Sequence, residues 1–117
     1  MAFQFQHIDP RSLIDAVGGE RATFEHLVGM FLRSTPPARD ALQAALAADD
    51  RDSARRLAHQ LRGNVVIFGA TELSAALAAL EQALHAGPAP APASNYCLAL
   101  IDAVLAEMNA ALQHAPE

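Results

Sequence analysis

Leu73, Leu77, Leu80 and Leu84 follow one another in steps of four, three and four, and Leu98, Ile101, Leu105, Met108 and Leu112 repeat that rhythm later in the chain. Such spacing paints a single apolar stripe along an α-helix, and no segment shows the alternation of a half-buried strand. The background points the same way, because 27 of the 117 residues are alanine, the residue of highest helix propensity. A chain built like this folds by laying helical stripes against one another. Its length allows one domain, residues 1–117, with a single modest core.

Pro, Gly and Asp punctuate the helical pieces. Asp9-Pro10 reads as the cap and first turn of a short helix carrying Leu13, Ile14 and Val17, stopped by Gly18-Gly19. A second helix starts near Glu20 with Phe24, Leu27, Val28 and Phe31 on one face; at Thr35-Pro36-Pro37 it either kinks or gives way to a new helix, which ends at Asp49-Asp50. Further helices are expected over about 51–68, 70–86 and 95–113. Residues 1–8 read as a flexible end, and the Pro/Ala-rich stretch 87–94 as an extended loop before the last helix. The expected fold is all-α, an antiparallel four-helix bundle with a short additional N-terminal helix.

Composition removes several chemistries. The chain has no lysine; all eight of its basic residues are arginine. That excludes a P-loop and Schiff-base catalysis, and argues against an ATP site of its own. A net charge of -5 disfavours nucleic acid or an anionic membrane as partner. The single cysteine, Cys97, cannot form an internal disulfide and should pack in the last helix. No signal-peptide layout opens the chain, and no uninterrupted apolar run approaches the roughly 20 residues of a membrane span. A cytoplasmic protein, without cofactor or metal, is the expectation.

The segment 51–68 carries the chemistry. At 100° per residue, Ala54, Leu57, Leu61, Val65 and Phe68 form the core stripe, whereas Asp52, Arg55, His59, Arg62, Gly63 and Val66 point away from it. His59 thus projects from mid-helix with Arg62 three residues on and Gly63 four residues on. A glycine inside a helix costs about 1 kcal/mol relative to alanine. Amid so much alanine it calls for a reason, either room for a partner at the imidazole or close packing between helices. Val66 would add an apolar spot beside it. Taken alone, each has a bland reading: a solvated histidine, a surface arginine, a scattered apolar residue.

Taken in order, Ala58-His59-Gln60-Leu61-Arg62-Gly63, Phe68-Gly69-Ala70, Leu73 and Leu80-Glu81 resemble the signature of histidine-containing phosphotransfer (HPt) domains. Upstream, Phe31-Leu32, a proline, an Ala/Leu helix and an acidic turn are similar too, so the resemblance covers about residues 20–86. It implies a four-helix bundle in which His59 carries a phosphoryl group between receiver-domain aspartates. Arg62 would neutralise phosphate charge and Gly63 would clear space. Arg55, Gln60 and Val66 would lie on the docking face. Glu81 stands where some members have a Gln that contacts the histidine; as a carboxylate it would repel phosphate, and an Arg-paired or solvated carboxylate is an equal reading. Arg62 replaces the more frequent lysine, and Asn64-Val65-Val66-Ile67 replaces small residues. The implied partners are a response-regulator receiver domain and a sensor histidine kinase, with the chain itself a monomeric carrier and not an enzyme.

The remaining histidines carry weaker expectations. His7 and His114 lie near the termini, His26 reads as a packing residue of the second helix, and His85 as a surface partner of Glu81 at i+4. A metal-binding bundle would need Glu-x-x-His pairs, and the residues three before His26, His59, His85 and His114 are Thr23, Arg56, Gln82 and Ala111. The rival to phosphotransfer is a helical docking module that holds a receiver or kinase domain without transferring anything.

Overall fold

A computed structural model describes residues 5–113. The short helix α1 (Pro10–Ala16) begins at Asp9, whose carboxylate accepts from the Arg11 amide at 3.1 Å, with Pro10 in the first turn where its missing N–H costs nothing. Gly18 and Gly19, at φ of 68° and 80°, turn the chain into α2 (Arg21–Ala47). Asp50 caps α3 (Arg51–Val65) through the Ser53 amide, and one 3₁₀ turn, Val66–Phe68, follows it. The helices α4 (Thr71–Ala86) and α5 (Ala91–Gln113) complete the order. No strand occurs among the described residues.

Short connections return the chain on itself. α3 packs between α2 and α4, and α5 closes the bundle against α2 and α4. The domain is 45 Å long, comparable with the rise of about 40 Å expected for the 27 residues of α2 at 1.5 Å each. The expected stripes supply the core: Leu73, Leu77, Leu80 and Leu84 from α4, Leu98, Ile101 and Met108 from α5, and Ala54, Leu61 and Val65 from α3 are buried. Leu57, Leu105 and Leu112 are half-buried at its margin. Phe31 of α2 meets Phe68 edge-to-face at 5.0 Å, which closes the core beneath the end of α3.

One alternative is resolved and two expectations need correction. Of the two outcomes open at Pro36-Pro37, the start of a new helix is excluded, because α2 runs through both prolines as one helix. The prolines forfeit the bonds that the Leu32 and Arg33 carbonyls would accept. Phe31, Thr35 and Leu42, buried on both sides of them, hold one face of the helix to the core. The loop expected over 87–94 shrinks to 87–90, because α5 starts at Ala91. There Pro92 sits in a first turn that needs no amide, and the Ser94 amide already donates to the Pro90 carbonyl at 3.1 Å. Of the end expected to be loose over 1–8, residues 5–8 are tied down. The amides of Gln6, His7 and Ile8 donate to one Glu107 oxygen at 2.9, 2.9 and 3.3 Å, and Ile8 is buried. His7 also lies 3.5 Å from Glu72.

By length and hydropathy α5 would suit a membrane span. Here it is a wall of the bundle, and its charges are used: Asp102 takes a two-pronged bond from Arg39 at 3.0 and 3.0 Å, while Glu107 holds the N-terminal amides. The tightest backbone joint is Gly69, at φ 69°, where a Cβ would lie 2.7 Å from the Asp9 Cβ and 3.2 Å from its amide nitrogen. Gly69→Ala is therefore expected to lower the unfolding free energy by more than about 1 kcal/mol, read by urea denaturation, since it combines a left-handed φ with a contact to backbone.

Candidate functional site

The core stripe of α3 determines what the helix shows outside. Ala54, Ala58, Leu61 and Val65 are 0–2% exposed, so His59, one residue past Ala58, is turned outward and its side chain is 69% exposed. On α4 the buried Leu80 leaves Glu81 at the edge of the α3–α4 seam, with only 16% of its side chain exposed. The two helices thereby face an imidazole and a carboxylate across one groove.

Arg62 completes the group. Its Nε donates to Glu81 Oε2 at 2.6 Å and its Nη2 to Oε1 at 3.4 Å, while Glu81 Oε1 lies 3.0 Å from His59 Nδ1. Arg62 Nη2 is also 3.2 Å from that ring nitrogen. Burial pushes the Glu81 carboxyl up, but the hydrogen bonds from Arg62 and His59 outweigh it and hold the group below its ordinary value. Against an ionised carboxylate, the 3.0 Å contact is a hydrogen bond when His59 carries its proton on Nδ1. In that tautomer Nε2 keeps the lone pair. Arg62 is then a neighbour of the ring and not a donor to it.

One turn away, Gly63 is exposed, and a Cβ built on it would meet nothing within 4 Å. Close helix packing is therefore not the reason for this glycine. Beside it, an open and mainly apolar groove between α2 and the end of α3 is lined by Leu27, Met30, Phe31, Ile67 and Phe68, with the polar Ser34 and Asn64. Val66 is 63% exposed, Met30 47% and Ile67 41%. Met30 and Ile67 belong to the groove beside Gly63, whereas Val66 lines a second open groove, with Arg62, Ala70 and Ala75, on the α4 side. Val66 belongs to the face read from the sequence. Met30 and Ile67 do not: Met30 comes from another helix, and Ile67 stands in the 3₁₀ turn, where 100° per residue no longer applies.

The family model for the Hpt domain matches residues 26–115. The chain belongs to the Hpt domain family. The match starts at His26 and takes in the described lengths of α3, α4 and α5 with most of α2, so α1 lies outside it. Membership implies a role in phosphotransfer, as a carrier and not an enzyme in the usual case. No curated protein and no solved structure gives a significant match.

Within this Hpt domain the other expected site residues fall into two groups. Arg55 points along the seam, its Nη1 3.0 Å from His85 Nδ1 and its Nη2 3.5 Å from Asp52. Gln60 is exposed next to His59. The expected Glu81–His85 pairing is replaced: Glu81 serves His59 and Arg62, and His85 meets Arg55. His26 is exposed, not packed, because Phe24 and Val28 take the buried positions of that turn. His114 lies outside the described residues. Cys97 is buried, donates to the Ala76 carbonyl at 3.2 Å, and has its thiol pushed up to about 11 by burial. Among the described residues no group of three or more His, Cys, Asp or Glu is placed to hold a metal.

Two predictions follow from this geometry. Gly63→Ala should raise the unfolding free energy by about 1 kcal/mol in urea denaturation, since the position is helical and open. A close-packing role would lower it. For Glu81, the folded carboxyl lies below its ordinary value of 4.5. Its contribution is thus fully present above the unfolded value and is lost as pH falls through the folded one. Urea midpoints of Glu81→Gln and of the native chain should accordingly differ near neutral pH and converge as pH falls below that ordinary value.

Proposed function

We propose that this Hpt domain is the carrier of a two-component phosphorelay, with His59 as the residue that takes and gives the phosphoryl group. One observation carries the reading: an exposed mid-helix imidazole whose Nδ1 is engaged by Glu81, leaving Nε2 for attack beside a glycine that nothing in the fold requires. Neutral imidazole is a competent nucleophile near neutral pH, so a ring so placed needs a phosphoryl donor and little more. In the proposed step the Nε2 lone pair forms a bond to phosphorus as the acyl-phosphate bond of a receiver aspartate breaks, releasing its carboxylate. The return step reverses these bonds. Arg62 is the nearest cation for the added negative charge, with Arg55 one turn away.

The partners on this reading are the receiver domain of a response regulator and a sensor histidine kinase that feeds the relay. A receiver would set its aspartate over His59, with its backbone over Gly63 and its apolar surface against Val66, Met30 and Ile67, and Gln60 at the rim. ATP and Mg²⁺ chemistry belongs to those partners, and neither nucleic acid nor a membrane is part of the proposal. The setting that suits it is the cytoplasm, and the core closes without a second copy, which suits a monomer.

A second reading, a docking module that binds without transfer, draws on the same apolar groove. Incubation with a ³²P-labelled receiver domain separates the two. Label should move to the native chain and be lost in His59→Gln, by at least about a hundredfold if the imidazole is the acceptor. Label persisting in His59→Gln would overturn the assignment. A native chain that binds the receiver yet takes up no label would establish the docking module instead.

A further inference from the structure

A carboxylate beside a phosphoryl acceptor is an odd choice, because it repels the group to be accepted. At this site it is also the one acceptor that binds both His59 and Arg62, with one oxygen 3.0 Å from Nδ1 and the other 2.6 Å from Arg62 Nε. The guanidinium is committed to Glu81 from two of its nitrogens. The cation closest to the phosphoryl position is thus already partnered before any phosphate arrives.

The consequence lies in the leaving group. When Nε2 forms its bond to phosphorus, the ring gains positive charge and keeps its proton on Nδ1. While that proton stays, departure of the phosphoryl group returns the N–P electron pair to Nε2 and releases a neutral imidazole. Once Nδ1 loses its proton, the leaving group is an imidazolate and the bond is far harder to break. An anionic acceptor on Nδ1 holds the proton in place more firmly than a neutral one, since hydrogen bonds to an ionised partner are about twice as strong.

Resting on the reading of His59 as phosphoacceptor, we infer that Glu81 is a positioning residue that keeps the phosphohistidine labile, biasing this Hpt domain toward onward donation and away from storage. It acts twice. By accepting the Nδ1 proton it presents Nε2 for attack, and by retaining that proton on the phosphorylated ring it keeps the N–P bond easy to break. Its hold on Arg62 acts in the same direction, because a guanidinium shared with Glu81 stabilises the bound phosphoryl group less than a free one would. The charged and titratable groups around the ring are Arg62 and Arg55 on α3 and Glu81 and His85 on α4, with Arg55 paired to Asp52 and resting on His85. Of these, Glu81 and Arg62 are within 3.2 Å of Nδ1, and only Glu81 can accept its proton.

Phosphoramidate tests this without any partner protein, since Nε2 displaces ammonia from it directly. Native chain and Glu81→Gln are phosphorylated, freed of reagent, and followed by ³¹P NMR across the neutral and alkaline range. The glutamine is isosteric and still offers a carbonyl oxygen, so the fold and the ring contact are retained while the charge is removed. The phosphohistidine of the variant should survive about tenfold longer at neutral pH, its change from labile to resistant moving about one pH unit toward acid. Glu81→Asp, one methylene shorter, withdraws the carboxylate from Nδ1 while keeping the charge in the seam, and should shift the profile in the same direction. Superimposable pH profiles, or a shorter lifetime in the variants, would overturn the role of Glu81 and leave His59 as carrier intact. Failure of phosphoramidate to modify His59 in the native chain would overturn the carrier reading itself.

Discussion

The register of α3 against α4 is the constraint on which the site depends. Ala54 and Ala58 are wholly buried and carry no side chain beyond Cβ, so α4 can approach α3 with Leu77, Leu80 and Leu84 filling the space between. That close approach brings a carboxylate rooted on one helix to 3.0 Å from an imidazole rooted on the other. A bulkier residue at Ala58 would push the helices apart at the level of His59. The alanine content that makes the chain helical also makes the seam narrow enough for its chemistry.

Across that seam the polar groups form a ladder. Arg62, Glu81 and His59 make one rung; Arg55, Asp52 and His85 make the next; Arg51 then donates to the Leu84 and His85 carbonyls at the end of α4. Each arginine of α3 named here is in contact with an acceptor in the resting fold. The partly buried Arg62–Glu81 pair adds a modest, pH-dependent contribution to stability. It also acts on geometry: it keeps the guanidinium beside the ring and the ring in one orientation. Gly63 and the apolar margin of Met30 and Ile67 leave the side toward α2 clear. Toward α4 the ring is held by Glu81 and Arg62, and toward α2 the surface beside Gly63 is open.

Periodicity carried the fold a long way. The steps in Leu73–Leu84 and Leu98–Leu112 described α4 and α5, and the rotation of α3 assigned His59, Gly63 and Val66 outward as they stand. Where reading failed, a local rule met a tertiary one. Pro36 and Pro37 read as either a kink or the start of a new helix, and the second alternative fails because α2 continues through both, with buried residues on either side. Pro92 read as part of a loop, yet a helix begins there because a first turn needs no amide. The N-terminal segment looked free, and nothing in its own residues points to Glu107, some hundred positions away, as the acceptor for its amides.

By itself the sequence determined which residue types face outward on α3 and that helices alone would build the core, because helical periodicity converts spacing directly into direction. Spacing along one helix says nothing about what stands opposite. That Glu81 reaches His59 and Arg62 while His85 turns to Arg55, and that Met30 joins Ile67 at the margin of the site, was decided only when α2, α3 and α4 packed. Those contacts join residues up to 37 positions apart, and their partners are chosen by the relative shift of whole helices. Such a shift is a property of the packed core, and no single segment contains it.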